Sequence, residues 1–221
     1  MLDSAAGLSG PERFRCGSRV ASVRILVLLG HPQPGSFNHA LARMVVSTLE
    51  DEGHEVVFHD LYAEGFDPVM TAAEIPTDGR LEREISRHCE ELVAAEGIVV
   101  VHPNWWGQPP AILKGWIDRV VRPEVAYRFL DGDSGEGTPE GLLKATTAVV
   151  LNTSNTRPKR ELTVFGDPLE ALWVRCVFAF CGVDDVRRRT FGVVATSTDE
   201  ERAAWLEEAA EIVRRAFSPA R

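Results

Sequence analysis

A chain of 221 residues can bury the core of one α/β domain, and a second full domain would need a longer sequence. The formal charge of −9 argues against a nucleic-acid partner, which would require a basic face, and 44% hydrophobic with 26% charged residues is ordinary for a globular enzyme. No apolar run approaches the roughly 18 residues that span a bilayer, so we expect no membrane insertion.

The N-terminal segment and the cysteines indicate a cytoplasmic protein of one domain. Residues 1–22 are rich in Gly, Ser and Arg and lack the apolar centre of a signal peptide, so we predict either a loosely ordered extension or a start site placed too early, before a single domain over residues 23–221. Neither CxxC spacing nor histidines at metal-ligand intervals accompany the four cysteines, Cys16, Cys89, Cys176 and Cys181. We therefore expect free thiols, no metal site and a reducing cytoplasm.

Strand and helix patterns alternate along the chain. The first half predicts a strand at residues 24–29, a helix at 40–49, a strand at 55–59, a loop over 60–80, a helix at 81–95 and a strand at 98–102. The second half predicts a loop at 103–110, a helix at 111–121, a glycine-rich excursion at 122–141, a strand at 145–151, a polar loop at 152–158, a helix at 169–180, a strand at 189–195 and a helix at 198–217 that opens with a capping box. This order predicts an α/β protein with a doubly wound, five-stranded parallel sheet in three layers.

The loop after the first strand has the polar groups of a phosphate site. It carries His31, Ser36 and Asn38 around Gly35, without the GxGxxG or Gly-Lys-Ser/Thr patterns of other phosphate loops. Ligands of open parallel sheets bind beyond the carboxyl ends of the strands, where the next helix points its free N–H groups at an anion. Ser36 and Asn38 with these amides therefore predict a phosphate site.

Two further loops meet the same edge of the sheet, because all its strands are parallel. The loop after the third strand, PNWWGQPP, holds Trp105 and Trp106 between prolines, which gives a stiff aromatic wall suited to a flat ring. The loop after the fourth strand, NTSNT at residues 152–156, offers hydroxyl, amide and main-chain donors to the polar edge of such a ring. A phosphate together with a planar heterocycle indicates a flavin.

Each of these features has a simpler explanation when it is taken alone. His31 could be a surface histidine beside a helix, and Ser36 and Asn38 could serve as caps of that helix and nothing more. The tryptophan pair could anchor a dimer interface, and the NTSNT loop could be ordinary turn chemistry. The convergence of three loops on one edge favours the binding site.

Three stretches, GHPQPGSFNHAL at residues 30–41, PNWWGQPPAILKGWIDRV at 103–120 and Ala126-Tyr127, carry a family resemblance. The chain resembles the NAD(P)H:quinone oxidoreductases of the flavodoxin-like fold over about residues 24–215. The resemblance implies a non-covalent FMN or FAD, NAD(P)H as co-substrate, and a homodimer whose two subunits share the substrate pocket.

The resemblance also assigns residues to the site. The family's cofactor-binding positions fall on His31, Ser36, Phe37 and Asn38 for the phosphate and ribityl chain, on Pro103, Asn104, Trp105, Trp106 and Gly107 along the isoalloxazine, and on Asn152, Thr153, Ser154 and Asn155 at its pyrimidine edge. Tyr127 and Phe129 match aromatic residues that border the substrate pocket.

Two departures from the family pattern stand out. Ser154 and Asn155 replace a pair of glycines that the family often has beside the cofactor, so side chains are expected to intrude there. The tyrosine and histidine of the mammalian members are absent, and Lys159 and Phe165 fall near their positions. The sequence therefore names no side-chain acid or base.

The resemblance implies reduction of quinones by a flavin that exchanges a hydride with NAD(P)H in ping-pong fashion. One alternative keeps the flavin and changes the acceptor to a nitro or azo compound. Another alternative is a regulatory flavoprotein subunit of a membrane transporter, which an exposed apolar face on the helix at residues 169–180 would support.

Overall fold

The computed structural model describes residues 22–130 and 139–218, so the predicted extension lies outside the described residues except for Ser22. The strands are β1 (Arg24–Leu29), β2 (Glu55–Asp60), β3 (Gly97–Pro103), β4 (Tyr127–Arg128), β5 (Glu140–Gly141), β6 (Thr147–Ser154) and β7 (Asp185–Gly192). The helices are α1 (Phe37–Asp51), α2 (Arg83–Ala94), α3 (Ala111–Val120), α4 (Pro158–Phe165), α5 (Pro168–Glu170) with its π-helical continuation (Ala171–Phe178), and α6 (Asp199–Phe217). Short 3-10 turns occupy Ala72–Glu74 and Val194–Thr196.

Five strands form one parallel sheet in the order β2-β1-β3-β6-β7. From β1 the chain first moves outward to β2 and then returns to β3 on the other side of β1. The direction of winding therefore changes between β1 and β3, and the carboxyl ends of these two strands flank the crevice where open α/β sheets bind ligands. The predicted doubly wound α/β fold is confirmed.

The side chains of the sheet alternate between two apolar layers. Val27 of β1 packs with α1 and α6 on one face, while Leu26 and Leu28 pack with α2, α3 and the π-helical segment on the other. Each face is covered by helices, which gives the predicted three layers. The near-continuous apolar runs of β1, β3 and β6 follow from burial on both sides.

The boundaries of three elements differ from the prediction. β6 continues to Ser154 because its polar last residues still pair with β3 and β7, although their side chains do not extend the apolar run. β7 lies at residues 185–192 rather than 189–195, since it is a half-exposed edge strand without a continuous apolar stretch. The sequence does not predict α4, which is only eight residues long and carries its apolar side chains, Leu162, Val164 and Phe165, exposed.

The capping box predicted for the last helix is confirmed. Thr198 Oγ1 accepts the N–H of Glu201 at 3.2 Å, and a Glu201 carboxylate oxygen accepts the N–H of Thr198 at 2.8 Å. These reciprocal bonds satisfy two of the donors that a helix N-terminus leaves free. They fix where α6 begins, one turn before Arg202.

A buried ion pair holds the segment between β2 and α2 against α3. The side chains of Arg119 and Glu74 are 0% and 1% exposed, and two guanidinium nitrogens donate to the two carboxylate oxygens of Glu74 at 2.7 and 2.8 Å. Arg119 also donates to the carbonyl oxygen of Asp67, and the hydroxyl of Thr71 donates to Glu74. The hydrogen bond from Arg119 lowers the pKa of Glu74 below its usual range.

The glycine-rich excursion contains a two-stranded antiparallel ribbon of β4 and β5 beside residues 131–138, which lie outside the described part of the chain. The rings of Tyr127 and Phe129 meet Phe180 edge-on, with centroids 4.8 and 6.1 Å away. Tyr127 also packs against the core, whereas 46% of Phe129 is exposed. We call these three residues the aromatic cluster.

β7 is the edge strand next to β6, and it carries three consecutive arginines. Arg187 pairs with Asp185, Arg188 pairs with Asp167 and Glu170, and Arg189 pairs with Glu208. These pairs tie the strand to α5, α6 and its own first residue.

Two observations bear on membranes. Among residues 22–130 and 139–218, no helix is both long enough and apolar enough to cross a bilayer. In the helix at residues 169–180, Leu169, Trp173 and Phe178 are buried in the chain's own core, whereas Phe180 is 36% exposed.

Candidate functional site

A cavity of about 910 Å³ opens at the carboxyl ends of β1, β3 and β6. Its wall combines the loop after β1 and the start of α1, the tryptophan loop after β3, the end of β6, one face of α4, and Arg202 of α6. Every predicted cofactor-binding residue except Asn152 lines it. Parallel strands thus bring the three predicted loops to one place.

Ser36 caps α1 at the cavity wall. Its hydroxyl oxygen accepts the backbone N–H of His39 at 3.4 Å and lies 2.8 Å from Nδ1 of the same histidine. Gly35 precedes it with φ of +74°, a left-handed conformation that turns the loop into the helix. The first-turn N–H groups of α1 therefore lie beside the cavity with the positive end of the helix dipole.

His31 and Asn38 have partners within the protein. The Nδ1 atom of His31 accepts the N–H of Gln33 at 3.1 Å, and its ring lies 6.1 Å from that of Trp105. Burial lowers the pKa of His31. The amide of Asn38 donates to Thr153 Oγ1 at 2.9 Å, so this side chain joins α1 to β6.

The tryptophan loop is a tight turn closed by Asn104. Trp105 and Gln108 exchange backbone hydrogen bonds of 3.0 Å, and Asn104 Oδ1 accepts the N–H of Gly107 at 2.9 Å. Trp106 has φ of +57° and an entirely exposed side chain, while 42% of Trp105 is exposed. The loop presents two indole rings to the cavity on a backbone that hydrogen bonds hold in place.

Replacing Gly107 by alanine is expected to destabilise the protein more than the same change at Gly65. Both glycines are left-handed, at φ of +73° and +69°, so each alanine costs about 1 kcal/mol in backbone strain. A Cβ at Gly107 would also lie 2.9 Å from Cγ of Pro168, whereas a Cβ at Gly65 meets nothing within 4 Å. We expect an additional loss of about 1 kcal/mol for Gly107→Ala in urea unfolding, and equal losses would contradict this packing.

Asn152 does not line the cavity, which corrects the sequence prediction. The amide nitrogen of Asn152 lies 2.7 Å from Nε2 of His102. The indole N–H of Trp173 also donates to His102 Nε2, at 2.9 Å. His102 Nδ1 lies 2.8 Å from the carbonyl oxygen of Pro103 and carries the proton of that bond. Successive side chains of a strand point to opposite faces, so Thr153 reaches the cavity and Asn152 enters the core on the other side.

The His102 network is expected to make stability depend on pH. Burial lowers the pKa of both His102 and His88 to about 4, whereas the unfolded chain titrates near 6.5. The unfolded state then gains more protons as the pH falls from 6.5 towards 4, so the free energy of unfolding decreases. Between pH 6.5 and 5, we expect a loss of about 2 kcal/mol for each histidine.

Urea unfolding at these two pH values measures the effect, and His102→Leu should reduce the loss by about 2 kcal/mol. His59 acts in the opposite sense. Burial opposes the charge of His59, but hydrogen bonds to Glu64 and Glu91 outweigh burial and raise its pKa. The stability that charged His59 adds to the folded state is therefore fully present below pH 6.5 and is lost as the pH rises through the raised pKa. An unchanged pH dependence in His102→Leu would contradict the buried neutral state of His102.

Ser154 and Asn155, the two departures from the family's glycines, are folded back on the backbone. Ser154 Oγ accepts the N–H of Thr156 at 3.0 Å, and Asn155 Oδ1 accepts the N–H of Ala195 at 2.8 Å. Both residues line the cavity, with their side-chain oxygens engaged in these bonds.

Several lining residues were not among the predicted cofactor-binding positions. Glu161 of α4 accepts a bond of 2.9 Å from Asn104, Phe165 lies at the other end of α4, and Arg202 donates to Ser197 Oγ at 2.9 Å and to the carbonyl oxygen of Val194 at 3.3 Å. None of the residues of α4 is buried, so burial did not mark this helix, but a cation one turn into the acidic start of α6 was a usable sign for Arg202.

Two other groups of side chains lie apart from the lining of the cavity. The predicted substrate residues Tyr127 and Phe129 belong to the aromatic cluster and do not line it. His59, Glu64 and His88 have ligand atoms within 4.8 Å of one another, as a metal site would require. Trp116 donates its indole N–H to His88 Nδ1, however, which leaves the proton of neutral His88 on Nε2 and opposes coordination there.

Comparison with known proteins gives a consistent result. The sequence model of a family described as "Flavodoxin-like fold" matches residues 23–215. An NAD(P)H oxidoreductase of Haemophilus influenzae is 31% identical over 191 residues, which cover 84% of this chain and 92% of that protein. NAD(P)H dehydrogenase (quinone) 1 of Rattus norvegicus is 34% identical over 125 residues, about half of each chain (48% and 46%).

The solved structure of an NAD(P)H:quinone oxidoreductase from Methanothermobacter marburgensis superposes with a TM-score of 0.77 at 24% identity. It covers 91% of this chain and 100% of that one. At this identity, the likeness concerns the fold.

Proposed function

The chain belongs to the flavodoxin-like fold family, and from this membership we propose that it is a flavin-dependent NAD(P)H oxidoreductase that reduces quinones. The observation that carries the proposal is the convergence of the α1 N-terminus, the tryptophan loop and the end of β6 on one cavity. Its volume of about 910 Å³ lies in the range of small-molecule and cofactor sites.

The residues of the cavity fit the parts of a flavin. The first-turn N–H groups of α1 and the guanidinium of Arg202 suit a phosphate, because both bring positive charge to the wall. Trp105 and Trp106 suit a flat ring, and the backbone of Thr153, Ser154 and Asn155 suits its polar edge. A bound flavin supplies the exchange of a hydride between NAD(P)H and a quinone.

The protein's own part is orientation and electrostatics. Asn104 holds the turn that carries the indole rings, while Arg202 is held at the wall by Ser197 and Val194. Main-chain N–H groups at the end of β6 would stabilise negative charge that develops at the polar edge of the ring. Because the Ser154 and Asn155 side chains bond to the backbone, a cofactor has access to this edge despite the loss of the two glycines.

The aromatic cluster supports a second part of the proposal, a homodimer. Phe129, next to the ribbon, and Phe180, at the end of the helix that continues the π-helical segment, are exposed at 46% and 36%, and neither lines the cavity of the same chain. We propose that the cluster of each subunit borders the substrate side of its partner's cavity. Light scattering of the purified chain should give twice the mass of one chain, and a monomer with full quinone reductase activity would contradict this part.

The function is tested on the purified full chain. We expect a yellow protein that oxidises NADPH or NADH faster when a benzoquinone is added, and chromatography of the heat-released flavin identifies FMN or FAD. A nitro or azo acceptor at the same concentration should be reduced more slowly than the quinone. A colourless protein that stays inactive after addition of FMN and FAD would rule out the proposal.

Arg202 offers a sharper test of the phosphate site. Arg202→Gln is expected to weaken binding of FMN or FAD by about 10–100-fold, because a charge-assisted hydrogen bond contributes about 1.5–3 kcal/mol. Arg215→Gln, in the same helix, is the matched control, since Arg215 is 74% exposed and pairs with Glu211. Fluorescence titration measures both affinities, and equal affinities in the two variants would place the phosphate elsewhere.

A further inference from the structure

Behind Ser36, a histidine and a carboxylate connect the cavity wall to the end of β2. His39 Nδ1 lies 2.8 Å from Ser36 Oγ, and His39 Nε2 lies 3.1 Å from a carboxylate oxygen of Asp60. The side chains of His39 and Asp60 are 12% and 18% exposed. Asp60 is held in turn by the N–H of Ala63, which donates to its other oxygen at 3.2 Å.

The number of protons on His39 decides whether the hydroxyl of Ser36 can donate a hydrogen bond to the cavity. The Asp60 carboxylate only accepts hydrogen bonds, so Nε2 of a neutral His39 must carry the proton. Nδ1 then carries no proton and accepts a hydrogen bond from the hydroxyl of Ser36. With its only proton engaged, the hydroxyl of Ser36 offers only oxygen lone pairs to the cavity. A phosphate oxygen would be repelled there.

A second proton on His39 reverses the direction of the bond. Nδ1–H then donates to Ser36 Oγ, which already accepts the backbone N–H of His39, and the hydroxyl proton of Ser36 is free to point into the cavity. Asp60 balances the positive charge of the imidazolium. In this state Ser36 is a donor suited to a phosphate.

Three parts of the described structure bring titratable or charged groups near His39. The loop after β1 contributes His31, whose ring lies 6.0 Å from that of His39, and α1 itself has Arg43 one turn farther along. The cavity wall adds Arg202 and Glu161. Burial lowers the pKa of His31, so this ring does not compete for the proton.

We infer that His39 is a positioning residue that couples binding of a phosphate-bearing flavin in this cavity to the uptake of one proton, through Ser36 and Asp60. The inference rests on the proposed flavin site. Because coupling is reciprocal, affinity for the phosphate-bearing flavin falls as the pH rises, by up to about tenfold per pH unit.

Calorimetry of the full chain, freed of flavin, tests the coupling. FMN is titrated at pH 8 in two buffers of different ionisation enthalpy, and the difference gives the number of protons taken up. A phosphate monoester, with a second pKa of about 6, is already a dianion at this pH, so the protons belong to the protein. We expect uptake approaching one proton with FMN and none with riboflavin, which lacks the phosphate.

Variants separate this role from a structural one. His39→Gln and Asp60→Asn should abolish proton uptake and weaken FMN binding about tenfold while leaving riboflavin affinity unchanged. His54→Gln, which changes a histidine at the opposite end of β2, should keep the wild-type uptake. In wild-type protein labelled with ¹⁵N-histidine, FMN should convert the His39 ring signals from the neutral to the doubly protonated pattern.

The outcomes distinguish the inference from the function on which it rests. FMN binding without proton uptake, or with equal uptake in His39→Gln, would overturn the inference and leave the flavin site intact. Failure of FMN, FAD and riboflavin to bind at all would overturn the proposed function itself.

Discussion

Replacing Arg119 by methionine is expected to lower the free energy of unfolding by about 3–5 kcal/mol. The substitution removes a guanidinium that is 0% exposed and leaves the carboxylate of Glu74, 1% exposed, buried without its partner. Breaking a buried pair from one side costs this much because the remaining charge is neither solvated nor balanced. Urea unfolding at pH 7 measures the loss.

Two controls identify the cause of this loss. The double variant Arg119→Met with Glu74→Leu should recover most of the stability, because no unpaired charge is left. Lys114→Met breaks a pair with Asp118 on the exposed side of the same helix, where both side chains are nearly half exposed, and should cost less than about 1 kcal/mol. If the double variant were as unstable as Arg119→Met, the loss would come from packing and not from the unpaired carboxylate.

The second large effect is expected at His102, where leucine should cost about 3–5 kcal/mol. Three groups lose their partner at once, namely the indole N–H of Trp173, the amide of Asn152 and the carbonyl oxygen of Pro103. Each buried group left without a hydrogen bond costs about 1–3 kcal/mol. Since Pro103 begins the tryptophan loop, flavin affinity should fall together with stability.

His88 is the matched control for His102. It is also a buried histidine, 1% exposed, but only Trp116 donates to it, and its Nε2 has no partner among the described residues. His88→Leu therefore leaves one group without a partner and removes an unsatisfied one, and we expect a loss of about 1 kcal/mol or less. Chemical unfolding at pH 7 compares the two, and similar losses would show that ring volume matters more than hydrogen bonding.

The sheet and its layers could be predicted because buried parallel strands are apolar on both faces. The runs at β1, β3 and β6 stand out from their polar surroundings, and each is followed by a helical pattern. α4 was missed and β7 was placed four residues too late at its start, since a short helix with no buried residue and a half-exposed edge strand form no continuous buried apolar run.

The candidate site could be predicted as a group of loops, but the direction of individual side chains could not. Asn152 and Thr153 are neighbours in β6, yet only Thr153 reaches the cavity, because the extended backbone places them on opposite faces. Asn38 lines the cavity and donates one amide hydrogen bond to Thr153. Such choices depend on partners that are distant in sequence, here 115 positions along the chain.

The three arginines of β7 bear on how copies of this protein can meet. An edge strand offers unpaired main-chain groups to any other extended chain, which is a route to aggregation. Here Arg187 and Arg189 lie on one face of β7 and Arg188 on the other, so a second sheet that added its strand would bring its own side chains against these charges and desolvate them. Growth of the sheet from chain to chain is thereby disfavoured at the β7 edge, and β2 forms the opposite edge of the sheet.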